Sequence, residues 1–460
     1  MKISGLDGKR VAIWGYGREG RAALAALRWR LPRQSITVFC SDGEAETLRG
    51  MEDPNLVIET GPVNGEMLAA FDVVIKSPGI SPYTSPVVDA TLHGTRFVGG
   101  TSFWFAENPD ARTICVTGTK GKSTVTALIA HLLRAGGKRT ALAGNIGLPL
   151  LELLDVDPPP DYWAIELSSY QAREAVRPSA AVVLNFFPEH LDWHGTESRY
   201  FEDKMALVTA TSPRAAVLNA ADPRIAALEV PDHVPVFWFN HDDGWHVDDT
   251  RLFRGQRLVM DLRGLPLPGR HNRLNLCAAL AAIEALGLDA EWLAPHAMSF
   301  RPLPHRLQPL GARDGIEFIN DSISTTPHAS LAALDCHKGR RIAILVGGYD
   351  RGVDWGVFAE RMAIDPPTAV ITMGENGPRI YEKIKHLAVG NPFVVVEAKE
   401  MEDALRLARE ILENRGVVML SPGAPSFPRY KDYVERGTHF AKLAGFDPKL
   451  ISAIPGLGVS

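Results

Sequence analysis

Residues 113–124 read TICVTGTKGKST. A short apolar run gives way to Gly118, Thr119, Lys120 and Gly121, then to Lys122, Ser123 and Thr124. Glycines let backbone N–H groups approach a phosphate, and a helix starting there adds its dipole. Lys122 supplies a mobile cation, and Ser123 or Thr124 a hydroxyl for Mg2+. The usual phosphate loop has four residues between its glycines, and here there are two. An ordinary glycine turn is the competing reading. The β-rich run before the loop and the helical run STVTALIAHLLRAGG after it favour a phosphate.

Other residues have chemistry of the same kind. Glu166, in AIELSSYQ, ends a predicted strand, and His190, in VVLNFFPEHLDWHG, is read at the end of another. Together they offer oxygen and nitrogen ligands. His190 and His194 also stand four apart, as zinc ligands on a helix do, but the HExxH order is absent and a lone histidine is more often structural. Lys204, in RYFEDKMALV, sits on a predicted helix beside Glu202 and Asp203, where the sequence alone favours a solvated surface lysine. The turn Gly15-Tyr16-Gly17-Arg18-Glu19-Gly20 fits a dinucleotide fold, with Asp42 near the ribose-binding position; strand-on-helix packing or another nucleotide fits as well. His271-Asn272-Arg273 precedes a helix, and Asn272 is a suitable N-cap there. His305-Arg306 follows a proline-rich hinge, and Asp321 ends a strand. Arg306 suits phosphate, with a rim salt bridge as the alternative.

These residues need strand tips to hold them. RVAIWGYG, ITVFCSD and FDVVIKSPGI read as three strands of a first α/β segment closing near residue 105. ARTICVTG, YWAIELSS, SAAVVLNF and RAAVLNAA build a second, with a small antiparallel insert at about 231–268. GIEFINDS, RRIAILVGG, TAVITMGE, FVVVEA and GVVMLSPG build a third after RPLPHRL. Strands alternating with helices predict parallel βαβ units. The expected architecture is α/β in three domains: Rossmann-like at 1–105, a P-loop ATPase-type parallel sheet at 106–303, and Rossmann-like at 304–460. Composition agrees: 460 residues, 45% hydrophobic, 22% charged. The formal charge of −5 argues against general nucleic-acid affinity. The four dispersed cysteines lack metal spacing and read as reduced thiols of a cytoplasmic protein. No apolar stretch is long enough for a membrane span or signal peptide.

Taken in order, TGTKGKST, GNIGLPL, ELSSYQ, the LN…EHLDWHG stretch, HNRLNLCAA, LPHRL and INDS resemble the Mur ligase family of ATP-dependent peptidoglycan precursor ligases across essentially the whole chain. Within that family, LSPGAPSFPRYKDY and ERGTHFAKLA are similar to the members that add glutamate to UDP-N-acetylmuramoyl-L-alanine. The resemblance implies that Gly17, Arg18, Glu19, Ser41, Ser77 and Pro78 hold the uridine diphosphate, and that Asn145, Ser168 and Gln171 line the muramoyl-alanine site. It implies ATP on residues 118–124, Asn272, Arg306 and Asp321, and two Mg2+ ions served by Ser123, Glu166, His190 and Lys204, with Lys204 carbamylated by CO2. The implied mechanism forms an acyl phosphate, with Lys122, Glu166, His190 and Lys204 as its catalytic set and a closing third domain that excludes water. A monomer is expected.

Three positions depart from the D-glutamate-adding pattern. Ile323 stands where a lysine is usual, Arg351 replaces a lysine, and Tyr433 a phenylalanine; Thr325 and Ser426 are kept. A planar guanidinium does not hold a carboxylate as an ammonium does. The changes fall at the implied glutamate site and resemble a branch that adds L-glutamate, with a separate epimerase as functional partner; D-glutamate is the alternative. A nicotinamide dehydrogenase built on GYGREG would leave the phosphate loop without use. A nucleotide sensor without chemistry would leave Glu166, His190 and Lys204 without a role.

Overall fold

The computed structural model describes residues 1–459. It contains three sheets arranged in two compact units. The first unit comprises residues 1–264, 273–298 and 456–460; the second comprises 265–272 and 299–455.

The first sheet is wholly parallel. Its strands are β1 (Val11–Trp14), β2 (Ile36–Cys40), β3 (Leu56–Thr60), β4 (Val73–Lys76) and β5 (Arg96–Val98), in the order β3-β2-β1-β4-β5. The order reverses direction between β1 and β4, which is where ligands bind in such sheets. Helix α1 (Arg18–Arg30) follows β1 and turns Ala22, Ala23, Leu24, Ala26 and Leu27 inward. Strands β3 and β5 escape the sequence reading because both are short and half-exposed, without an apolar run.

The second sheet starts at β6 (Thr113–Thr117). It adds β7 (Thr140–Gly144), β8 (Tyr162–Glu166), β9 (Ala180–Val183), β10 (Ala216–Asn219), β11 (Val236–Phe239), β12 (Trp245–Val247), β13 (Arg251–Arg254) and β14 (Arg257–Asp261). The order runs β14-β13-β12-β11-β10-β9-β6-β8-β7 and ends on the C-terminal strand Gly458–Val459. Of the insert expected to be antiparallel at about 231–268, β12–β14 pair antiparallel, but β11 pairs parallel with β10 and β12, so the stretch continues the main sheet. β6 to β9 are fully buried, the near-continuous apolar pattern of a sheet covered on both faces. Gly458–Val459 pairs antiparallel with β7, so the last residues belong with the second sheet, not with the third domain that the sequence extends to residue 460. Helix α2 (Lys122–Ala135) buries Val125, Leu128, Ile129, Leu132 and Leu133 against this sheet. Each such side chain contributes roughly 2 kcal/mol by leaving water, which anchors the loop before it.

The third sheet lies in the second unit: β15 (Gln308–Arg313), β16 (Ile316–Asn320), β17 (Ile342–Val346), β18 (Ala369–Thr372), β19 (Val394–Glu397) and β20 (Gly416–Leu420), ordered β15-β16-β20-β17-β18-β19. All its pairs are parallel except β15–β16. Among the described residues, no helix is long and apolar enough to cross a membrane.

Candidate active site

The loop 118–121 leaves the end of β6 and enters α2. Gly121 caps that helix at φ 88°, and a Cβ there would stand 2.6 Å from Asn275 Oδ1. Gly118 lies at φ 152°, and its Cβ would stand 2.9 Å from Leu184. Both positions therefore require glycine. The amides of Thr119 and Lys120 bond Asn185, at 3.0 Å to its carbonyl and 2.8 Å to its side chain. Lys122 Nζ donates to the Thr119 carbonyl at 3.1 Å across the loop.

Glu166 ends β8, whose register sets Val116 beside it. Its Oε1 accepts from Asn145 Nδ2 at 3.0 Å, while Oε2 is buried without a partner. A buried carboxylate oxygen left unpaired is costly, and a bound cation would satisfy it. His190 lies seven residues past β9, not at a strand end. It adopts a left-handed conformation (φ 56°) before the short helix α3 (Leu191–His194). Burial lowers its pKa, against the pull of Glu189 and Asp192, which favours the neutral ring a metal needs.

Lys204 overturns the surface reading. It sits on α4 (Glu197–Thr209), is 2% exposed, and donates to the Gly118 carbonyl at 3.0 Å. Its Nζ also lies 4.8 Å from the Tyr200 ring. Burial first, and then the charge of Lys122, bring its pKa down to about 7. Charging the amine is thereby made harder, so a substantial neutral fraction exists near neutral pH. Only a neutral amine attacks CO2, so this environment fits carbamylation. Among the described residues no three His, Cys, Asp or Glu side chains converge as a metal site; a carbamate would add the missing oxygen donor.

Ser168, Gln171, Ser77, Glu19 and Ser41 lie in the same unit. Ser168 Oγ donates to Gln171 Oε1 at 2.8 Å, and Gln171 Nε2 reaches Thr101 Oγ1 at 3.4 Å. Ser77 Oγ donates to the Gly15 carbonyl at 3.1 Å, tying the β4 turn to the β1 turn that carries Gly17, Arg18 and Glu19. Burial and nearby Glu174 push the Glu19 carboxyl up to about 7. Ser41 donates from both its amide and its hydroxyl to Glu44 at the start of the helix Asp42–Arg49.

In the second unit Asp321 is buried and accepts from Leu307 N at 3.0 Å and Ser421 Oγ at 2.8 Å; Ser324 also donates to it. Burial raises its pKa, while these bonds and Arg306 oppose the rise. Asn272 lies inside the helix Arg270–Ala285 rather than at its cap, and its Nδ2 donates to the Pro268 carbonyl at 2.8 Å. Its own amide donates to the Gly269 carbonyl at 3.1 Å, as a residue of the first helical turn does, not a cap. Ser426 lines a cavity of about 710 Å3, with Gly347, Tyr349, Met373, Lys399 and Arg429, beyond the ends of β17 and β18. Thr325, Arg351 and Tyr433 are exposed and lie outside its lining. Tyr433 instead packs edge-on against His305, ring centroids 6.0 Å apart.

Sequence reasoning missed Arg436 and the roles of His194 and Asp203. Arg436 is 2% exposed and bridges the Ser322 carbonyl (2.8 Å) to the Ala424 carbonyl (3.0 Å), joining the Asp321 turn to the loop carrying Ser426. Its position in ERGTHF was legible, but nothing in one sequence marks an arginine as buried. His194 Nδ1 and Asp203 Oδ2 form a buried hydrogen bond at 2.8 Å.

Comparison with known proteins gives one answer. The Mur ligase middle domain matches residues 116–283, and the Mur ligase glutamate ligase domain matches residues 305–423. A protein of Xanthomonas euvesicatoria pv. vesicatoria, named UDP-N-acetylmuramoyl-L-alanine--L-glutamate ligase, is 59% identical over 100% of both chains. One of the same name from a Micromonospora species is 40% identical over 96% of this chain and 98% of its own. Among solved structures, the UDP-N-acetylmuramate-alanine ligase MurC of Thermotoga maritima superposes with TM-score 0.59 at 18% identity, over 94% of this chain and 98% of that one. MurF of Thermotoga maritima, solved with ADP, gives TM-score 0.57 at 16% identity, covering 89% and 94%. At those identities the structural likeness establishes the three-domain α/β fold. With two domain models matched in order and relatives 59% identical end to end, the chain belongs to the Mur ligase family of ATP-dependent ligases.

Proposed function

We propose that this chain joins L-glutamate to the alanyl carboxylate of UDP-N-acetylmuramoyl-L-alanine, at the expense of ATP, in peptidoglycan precursor synthesis. The observation that carries the reading is end-to-end similarity to relatives bearing that activity in their names. Ile323, Arg351 and Tyr433, departing together from the D-glutamate pattern, support the L-isomer. A separate epimerase would then supply the inverted centre.

The alanyl carboxylate attacks the γ-phosphorus of ATP, ADP leaves, and an acyl phosphate forms. The glutamate amine attacks the acyl carbon, loses a proton and expels inorganic phosphate. The barrier in the first step is charge repulsion around a loose phosphoryl group, so catalysis is positioning and charge neutralisation. Lys122 brings a cation to the loop, and the loop amides of α2 add the helix dipole. Two Mg2+ ions, when bound, supply positive charge to the phosphates and the reacting carboxylate; Ser123, Glu166, His190 and Lys204 are the residues that would hold them. The partnerless Glu166 Oε2 and the neutral state of His190 suit that role. For Lys204, the neutral amine attacks the carbon of CO2, an N–C bond forms as one C=O π bond opens, the nitrogen loses one proton, and the neutral amine becomes an anionic oxygen donor. Asn272, Arg306 and Asp321 serve the nucleotide, and Thr325, Arg351, Ser426 and Tyr433 the glutamate.

The test is phosphate release from ATP. It is expected only when UDP-N-acetylmuramoyl-L-alanine and glutamate are both present. Release with ATP alone, or with a nicotinamide-dependent substrate in place of the acceptor, would sink the reading.

A further inference from the structure

His194 stands at the centre of a buried polar chain that the catalytic steps do not use. Its ring is fully buried. Nδ1 lies 2.8 Å from Asp203 Oδ2, and Nε2 lies 3.0 Å from Ser169 Oγ. Tyr83 OH donates to the same Asp203 carboxylate, 2.8 Å from each oxygen. An ionised carboxylate only accepts, so Nδ1 must carry the imidazole proton, leaving Nε2 to accept the Ser169 hydroxyl. Burial outweighs the pull of Asp203 and keeps the ring neutral, consistent with that assignment.

The neighbouring residue adds a second set of ties. Trp193 Nε1 donates to the Pro78 carbonyl at 3.0 Å, and Ser81 Oγ donates to the Trp193 carbonyl at 2.6 Å. Tyr170 stacks on the Trp193 ring, centroids 4.4 Å apart and planes 25° apart. Three segments therefore meet on Trp193 and His194: the turn after β4, the turn 168–171 and helix α4.

We propose that Trp193 and His194 are positioning residues that set the acceptor-side turn 168–171 against the helix that presents Lys204. The inference rests on the ligase reading above, and neither residue touches reacting atoms. Ser169 and Tyr170, held by these ties, are flanked by Ser168 and Gln171. On α4, Asp203 and Lys204 are adjacent and so point about 100° apart around the axis. Anchoring Asp203 to His194 and Tyr83 fixes the helix rotation and aims Lys204 at the Gly118 carbonyl.

Three variants separate the two ring nitrogens. His194→Phe removes both bonds, His194→Asn retains a group near Nδ1, and His194→Gln retains one near Nε2. The Phe variant is expected to raise the KM for UDP-N-acetylmuramoyl-L-alanine about tenfold, the scale of a lost buried hydrogen bond, with the KM for ATP within about twofold. Asn and Gln should each recover part of the loss. Ser169→Ala alone should raise the acceptor KM a few-fold and add little to His194→Phe, and it carries the test should the Phe variant not fold. Equal changes in acceptor and ATP KM, or an acceptor KM unchanged in Ser169→Ala, would overturn the positioning role and leave the ligase reading standing. A wild-type chain that does not turn over the acceptor would overturn both.

Discussion

The phosphate-loop region and the residues proposed for glutamate differ in how far they are exposed. Around the loop, Glu166 and Lys204 are about 2% exposed, one with an unpartnered oxygen and the other with its pKa brought down to about 7. In the second unit, Thr325, Arg351 and Tyr433 lie exposed, whereas His305, Asp321 and Arg436 are buried. The first region stores electrostatic cost that a metal and a carbamate would relieve. The second leaves Thr325, Arg351 and Tyr433 open to solvent, as the proposed glutamate site requires. Substitutions should therefore be severe in the first region and graded in the second.

Lys204→Ala gives the largest expected effect, a loss of kcat on the order of a hundred- to a thousandfold, the scale of losing an electrostatic stabiliser of the transition state. Added short carboxylates should restore part of it; wild-type activity in that variant would remove the lysine from the mechanism. Because burial lowers its pKa, Lys204 has a neutral amine above about pH 7 rather than only above 10.5. The carbamate signal in 13CO2 NMR should accordingly fade as pH drops through about 7, and a signal persisting well below that pH would contradict the assignment. Next, Glu166→Gln should raise the Mg2+ concentration for half-maximal activity by roughly ten- to a hundredfold, as loss of a ligating or orienting group does; an unchanged Mg2+ titration removes Glu166 from the metal site. A smaller effect is expected from Arg351→Ala, about a tenfold rise in glutamate KM with ATP unaffected. Arg351→Lys should fall between the two, since an ammonium keeps the charge but loses the fork. A KM for glutamate that does not move would place Arg351 outside the site.

The same contrast explains what could be read from the sequence. The phosphate loop was legible because backbone does its work: two glycines, a strand before and a helix after suffice. The alternation of strands and helices was legible for the same reason, except in β3 and β5, where half-exposed residues give no apolar run, and in β7 and β15, whose small or polar residues (TALAG, QPLGAR) carry too weak a β signal. Burial of charge was not legible. FEDKMALV reads as a solvated helix face, and only the folded chain brings Lys204 under Gly118 and Asp203 against His194. His190 shows another limit: a left-handed residue before a four-residue helix leaves no periodic trace, so the sequence pattern points to a strand tip instead.

The central claim is the choice of glutamate. Phosphate release measured with ATP, Mg2+, UDP-N-acetylmuramoyl-L-alanine and either L- or D-glutamate tests it directly. Turnover with L-glutamate is expected at a kcat/KM at least about tenfold above that with D-glutamate, a difference of roughly 1.4 kcal/mol in transition-state binding. Preference for D-glutamate would contradict it.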